Sequence, residues 1–97
     1  METVEIVRIM GEKKPLKSKN LKIIDHKGTL YATFDGVNYW KLEKYIYNLL
    51  KLCNGKRSFD EIVQNVAERA GLSVEDVRAA LRPVFDEFEK DGFIIYV

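Results

Sequence analysis

The side chains able to do chemistry are few and far apart. The chain has one cysteine, Cys53, and one histidine, His26. Nucleophilic catalysis would need a base within hydrogen-bond reach of the thiol. Cys53 falls on an apolar helical stripe and His26 in a His-Lys-Gly turn, so the two belong to different elements. Cys53 reads as a small core residue and His26 as a turn residue. One cysteine excludes an internal disulfide, and one histidine leaves no zinc-ligand spacing. Asp86, Glu87, Glu89 and Asp91 cluster late in the chain, where they read as the solvated face of a helix. No glycine-rich phosphate loop is present. The residues point away from an enzyme and imply no cofactor or metal.

Binding chemistry has better candidates. Tyr39 and Trp40 are consecutive in an apolar run, Val37-Asn38-Tyr39-Trp40-Lys41. In a strand they point to opposite faces, one to the core and one outward. Arg78 and Arg82 stand four apart, flanking a stripe that includes Leu81 and Phe85. If the strand is a sheet edge beside that helix, the two form a groove. The edge would offer backbone bonds, the stripe apolar pockets, and the arginines a match for acidic peptide residues. The alternative is an edge that is merely covered or blunted.

The elements that must position these residues follow from periodicity. Val4–Met10 reads as a strand, and residues 11–20, with four lysines and Pro15, as a solvated loop. Leu21–Asp25, Thr29–Phe34 and Val37–Leu42 read as a three-stranded antiparallel meander, with Asp35-Gly36 as a two-residue hairpin turn. Leu42, Tyr45, Ile46, Leu49, Leu50 and Cys53 repeat at helical spacing, as do Phe59, Ile62, Val63, Val66, Ala67 and Ala70. Between them, Gly55 can close the first helix in a left-handed conformation. Ser58 and Glu61 can form a capping box for the second. Ser73 and Asp76 cap a third helix, whose stripe is Val74, Val77, Leu81, Val84, Phe85 and Phe88. Pro83 lies inside it and predicts a kink near Ala79–Pro83 or two abutting helices. Phe93–Val97 is strand-like. The fold class expected is α+β: a winged-helix-like arrangement in which a three-stranded antiparallel sheet precedes a three-helix helix-turn-helix bundle.

Charge narrows the partners. The formal net charge is +1, but residues 1–57 carry 12 Lys/Arg against 6 Asp/Glu, and residues 58–97 carry 4 against 9. Val66–Ser73 followed by Val77 and Leu81 looks like a DNA-reading module, so a winged-helix transcriptional regulator is the alternative reading. The helix that would enter the groove, Glu75–Asp91, holds six acids against Arg78, Arg82 and Lys90. A polyanion would repel it, so nucleic acid is not the expected partner. No apolar run reaches the length of a membrane span, and Met-Glu-Thr does not open a signal peptide. A cytoplasmic protein is expected. A dimerisation module built on Val4–Met10 and Phe93–Val97, giving a homodimer, is a third reading.

The run Leu49–Val63 resembles the PqqD-like family, relatives of pyrroloquinoline quinone biosynthesis protein D known as RiPP recognition elements. The matching positions are Leu50, Cys53, Asn54, Gly55, Arg57, Ser58, Glu61, Ile62 and Val63, with Lys90-Asp91-Gly92-Phe93-Ile94 resembling the family's closing pattern. Asn54 replaces the usual Asp, and Phe34-Asp35-Gly36 stands where classical members have an aliphatic-Pro-Glu stretch. The likeness runs from Leu21 to Ile94, so it divides the chain into residues 1–20 and a PqqD-like domain over 21–97. The resemblance implies a non-catalytic peptide chaperone. Such domains bind the leader of a ribosomal precursor peptide as an added strand and present it to a modifying enzyme, often a radical S-adenosylmethionine (radical SAM) protein. On this sequence the implied site is Val37, Asn38, Tyr39, Trp40 and Lys41 on the strand, with Arg78, Leu81, Arg82 and Phe85 on the helix.

Overall fold

The computed structural model describes residues 13–97, so the strand expected over Val4–Met10 lies outside the described residues. The elements are β1 (Pro15–Lys17), β2 (Lys22–His26), β3 (Thr29–Thr33), β4 (Tyr39–Leu42), α1 (Lys44–Leu52), α2 (Phe59–Ala70), α3 (Val74–Lys90) and β5 (Ile94–Tyr96). The expected α+β class, a three-stranded antiparallel sheet followed by three helices, is what forms.

The meander has the order β2–β3–β4. Lys27 (φ 52°) and Gly28 (φ 85°) make the first turn, with positive dihedrals at both central positions, as in a type I′ hairpin. The second connection differs from expectation. Thr33 pairs with Tyr39, leaving a five-residue loop in place of a two-residue Asp35-Gly36 turn. Asp35 organises it: Oδ1 accepts from the backbone N–H groups of Val37 and Asn38, both at 2.8 Å, and Oδ2 accepts from Asn38 Nδ2. These bonds take Val37 and Asn38 out of the ladder. The buried Thr33 hydroxyl donates to the Asn38 carbonyl at 2.7 Å and accepts from Gly36 N–H.

The helices form where the stripes place them. The capping box is complete: Ser58 Oγ accepts from Glu61 N–H and Glu61 Oε1 from Ser58 N–H, both at 3.1 Å. Ser73 Oγ accepts from Asp76 N–H in the same way. α3 runs unbroken through Pro83, so two abutting helices do not form. Pro83 and Ala79 are both solvent-exposed, which leaves the carbonyl that Pro83 deprives of a partner on the wet side of the helix.

A second correction concerns residues 11–20, read as a loop. Pro15–Lys17 forms β1, antiparallel to β5 in a separate two-stranded ribbon. The α1–α2 turn closes its other side: Gly55 N–H donates to the Pro15 carbonyl at 2.9 Å and Lys17 N–H to the Cys53 carbonyl at 2.8 Å. Gly55 has φ +76°, and a β-carbon there would sit 3.4 Å from Leu16 Cδ1. The left-handed backbone favours glycine here, while a β-carbon would meet β1 only at ordinary contact distance. Lys17, one of the loop's lysines, donates its ammonium to the Leu21 carbonyl at 2.8 Å.

The core joins both halves. Ala32 and Leu42 from the sheet meet Leu49, Leu50, Ile62, Val63, Val77, Leu81, Phe85 and Phe88 from the helices. Aromatic rings continue outward from it: Phe59–Phe85 at 5.1 Å between centroids, Phe85–Phe88 at 5.4 Å, Phe88–Phe93 at 6.2 Å and Phe93–Trp40 at 5.1 Å. This file of rings links β4 to α3 and the start of α2. Tyr45, counted on the apolar stripe of α1, is 56% exposed and lies outside the core.

Candidate functional site

Neither residue with catalytic potential is placed for catalysis. Cys53 is buried, its Sγ 3.4 Å from the Leu49 carbonyl, and burial pushes the thiol up to about 12. At neutral pH a thiol in that state carries almost no thiolate, the nucleophilic form. His26 is exposed at the end of β2. Among the described residues no group of three His, Cys, Asp or Glu stands close enough to hold a metal ion.

The sheet has two open edges among the described residues, β2 and β4, and the candidate strand residues lie at β4. Among the described residues β4 pairs with β3 on one side only, so the backbone groups of its other side have no strand partner. An edge of that kind is a template for an added strand. Ala32 pairs with Trp40 and Leu30 with Leu42, which sets Trp40 on the face turned to the core. Its ring makes edge-on contacts to Phe34 at 5.8 Å and Phe93 at 5.1 Å, yet it stays 41% exposed. Tyr39 lies on the opposite face, edge-on to Tyr31 at 6.2 Å, and its hydroxyl donates to the Gly36 carbonyl. It is 49% exposed. The expectation that one of the pair is core is thus corrected. Both reach solvent because the strand is at the border of the sheet, with no further strand alongside whose side chains would complete their cover.

Of the other strand candidates, Lys41 is exposed on β4, whereas Val37 and Asn38 belong to the loop that leads into it. That loop is held by charge. The N–H groups of Asn38 and Val37 keep the Asp35 carboxyl down at about 2, against an ordinary 3.8. Because the folded value is depressed, the resulting stabilisation is present in full above the ordinary carboxylate value. It is lost as the pH falls from 3.8 through about 2. The amide resonances of Val37 and Asn38 should therefore titrate with a midpoint near 2, and Asp35→Ala should abolish that transition. A midpoint at the ordinary carboxylate value would contradict the loop geometry.

The helix candidates divide differently from their spacing. Leu81 and Phe85 are buried in the core. Arg78 and Arg82 turn toward α2: Arg78 Nε lies 3.3 Å from Asp60 Oδ1, and the Arg82 guanidinium sits 4.2 Å above the Phe59 ring. What meets Trp40 is Phe93, just after α3, backed by Phe88 on the helix. Phe34 and Phe93 are the members of this cluster that were not counted among the site residues. Phe93 lies in a segment read as a terminal strand and as part of the family's closing pattern, and Phe34 shares a strand face with Leu30 and Ala32. Their meeting with Trp40 depends on tertiary packing alone.

The chain has no significant match among curated proteins or among solved structures. The family model described as coenzyme PQQ synthesis protein D (PqqD) matches residues 28–94, which takes in β3, β4, all three helices and the first residue of β5. That is well over half of the sequence, and with the edge strand and helical bundle in place the chain belongs to the PqqD family.

Proposed function

We propose that this domain is a non-catalytic binder of a ribosomal precursor peptide. The leader segment adds as a strand to the free side of β4 and is presented to a modifying enzyme, a radical SAM protein being the partner of the expected kind. The observation that carries the reading is the unpaired edge at Tyr39–Leu42 with Trp40 half-exposed beside Phe34 and Phe93. Membership of the PqqD family, named for coenzyme PQQ synthesis, supports an accessory role beside a biosynthetic enzyme. In this arrangement Tyr39, Trp40 and Lys41 supply the edge, and the Asp35-centred loop through Val37 and Asn38 fixes where it begins. Phe34 and Trp40 supply an apolar seat, with the buried Phe93 packed beneath them. Phe85 backs this seat through Phe88, Leu81 lies in the core, and Arg78 and Arg82 hold α3 to α2.

Strand addition has a signature that side-chain binding lacks. Only alternate residues of an added strand direct their N–H groups at the host. Two versions of a synthetic candidate leader segment, N-methylated at odd or at even positions, therefore separate the mechanisms. One parity should lose affinity by about tenfold or more, since several backbone bonds are blocked together, and the other should bind nearly unchanged. The unmodified segment should shift the backbone amides of Tyr39–Leu42 and Phe93. Equal binding of both parities, or shifts that avoid β4, would refute the proposal.

A further inference from the structure

On a different side of the bundle, α1 and α2 flank a groove of about 620 Å³. Leu49, Leu52, Val66, Ala70 and Leu81 contribute its apolar surface, and Tyr45 stands at its rim. Two observations mark this groove as more than a packing gap. The first is charge. The only charged side chains lining it are Lys51 and Arg69, both cations. Residues 58–97 contain nine acids and four bases, yet the groove takes one of those bases and none of the acids. The sole ion pair among the described residues is Arg78–Asp60, so neither cation is matched by a described carboxylate. The Lys51 ammonium rests 4.7 Å over the Tyr47 ring, a contact from which an occupant's carboxylate must draw it. The second is Asn65, a groove residue whose side-chain Oδ1 is buried and accepts no hydrogen bond. Buried acceptors in native structures are ordinarily satisfied.

The chemistry of the occupant follows. The walls are helices, whose backbone groups are paired internally, so no strand can be added here. An occupant must satisfy its own backbone, as a helix does. We propose that the α1–α2 groove is a docking site for an acidic amphipathic helix of a partner protein. Apolar side chains of that helix rest on Leu49, Leu52 and Val66 beside Tyr45. A carboxylate pairs with Lys51 and Arg69, and a side-chain donor bonds Asn65 Oδ1 once the amide rotates it out of the packed interior. No residue of this groove belongs to β4. The site therefore stands independently of strand addition and is compatible with a peptide held on the sheet edge at the same time.

The test uses the whole chain, isotopically labelled, and three synthetic helical peptides of about 18 residues. One carries a leucine stripe and a glutamate face, one the same stripe with lysines, and one the glutamate face with serines replacing the leucines. The acidic amphipathic peptide should shift the amides of residues 45–52 and 65–70. The lysine peptide should bind at least about tenfold more weakly, and the serine peptide not at all. Charge reversal at two exposed positions, Lys51→Glu with Arg69→Glu, should weaken the acidic peptide by about tenfold and invert the preference. The salt dependence of binding to the unaltered chain gives the same information should the double variant be poorly folded. Equal binding of acidic and basic peptides, or shifts mapping elsewhere, would overturn the proposal. So would shifts of the same amides by duplex DNA, or by raising the concentration of the protein alone, which would assign the groove to nucleic acid or to a second copy.

Discussion

Replacing Phe85 with alanine should destabilise the domain by about 3–5 kcal/mol. The ring is fully buried and touches Phe59 at 5.1 Å and Phe88 at 5.4 Å between centroids, so its removal cuts the aromatic file between α2 and the rest. The loss combines transfer of the ring's apolar area with a cavity that three helices' worth of fixed backbone cannot fully close. Domains of this size are stable by roughly 5–15 kcal/mol, so the variant keeps only a fraction of the margin. Its thermal midpoint should fall by upward of about 12 °C. Phe85→Leu preserves most of the volume and should cost less than about 1.5 kcal/mol. Denaturant melts of the two variants decide the matter. A penalty under about 1 kcal/mol for the alanine would mean that Phe85 is not the hub of the core. Because the file continues through Phe88 and Phe93 to Trp40, the same variant should also loosen the apolar seat beside β4.

The helical half was legible because its signals are local. A stripe such as Phe59, Ile62, Val63, Val66 is contained in one turn after another, and the Ser58–Glu61 box closes within four residues. What escaped depended on distant partners or on competing local bonds. β1 is three residues long, carries a proline, and pairs with a strand at the far end of the sequence, so nothing nearby announces it. The Asp35-Gly36 pair has the wording of a tight hairpin. The Asp35 carboxylate instead captures the next two N–H groups, and Val37 and Asn38 leave the ladder. The edge position of β4 was a condition of the groove reading, and the β2–β3–β4 order meets it. The fate of Arg78 and Arg82 was not readable, because spacing shows that they share a flank but not which neighbour that flank meets. Asp60 and the Phe59 ring meet it. Tyr45 illustrates the same limit: its position obeys the stripe, yet α2 and α3 leave a groove there in place of a packed core.

Trp40→Ala should weaken leader-peptide binding by about thirtyfold or more while leaving a folded protein. A large aromatic at the centre of a small interface is the kind of residue whose truncation costs about 2 kcal/mol or more, and 2 kcal/mol is close to thirtyfold in affinity. Trp40 fits that role because it sits on the open strand, lies against Phe34 and Phe93, and still has much of its ring in water for a peptide to cover. The cost to folding is smaller. Two edge-on contacts are worth about 0.5–1.5 kcal/mol each, and part of the ring is already solvated. Trp40→Phe keeps a ring against Phe93 and should recover binding to within a few-fold. Trp40 is also the chain's sole tryptophan, so its fluorescence reports on the strand with no competing signal. Peptide docking on β4 dries the indole and should shift its emission to shorter wavelength, saturating with the same constant that calorimetry gives. If the peptide binds with Trp40 emission unchanged and with equal affinity to Trp40→Ala, the working surface is not this edge. A blue shift that appears with the unmodified leader and with only one N-methylated parity ties the indole, the strand and the peptide backbone to a single event.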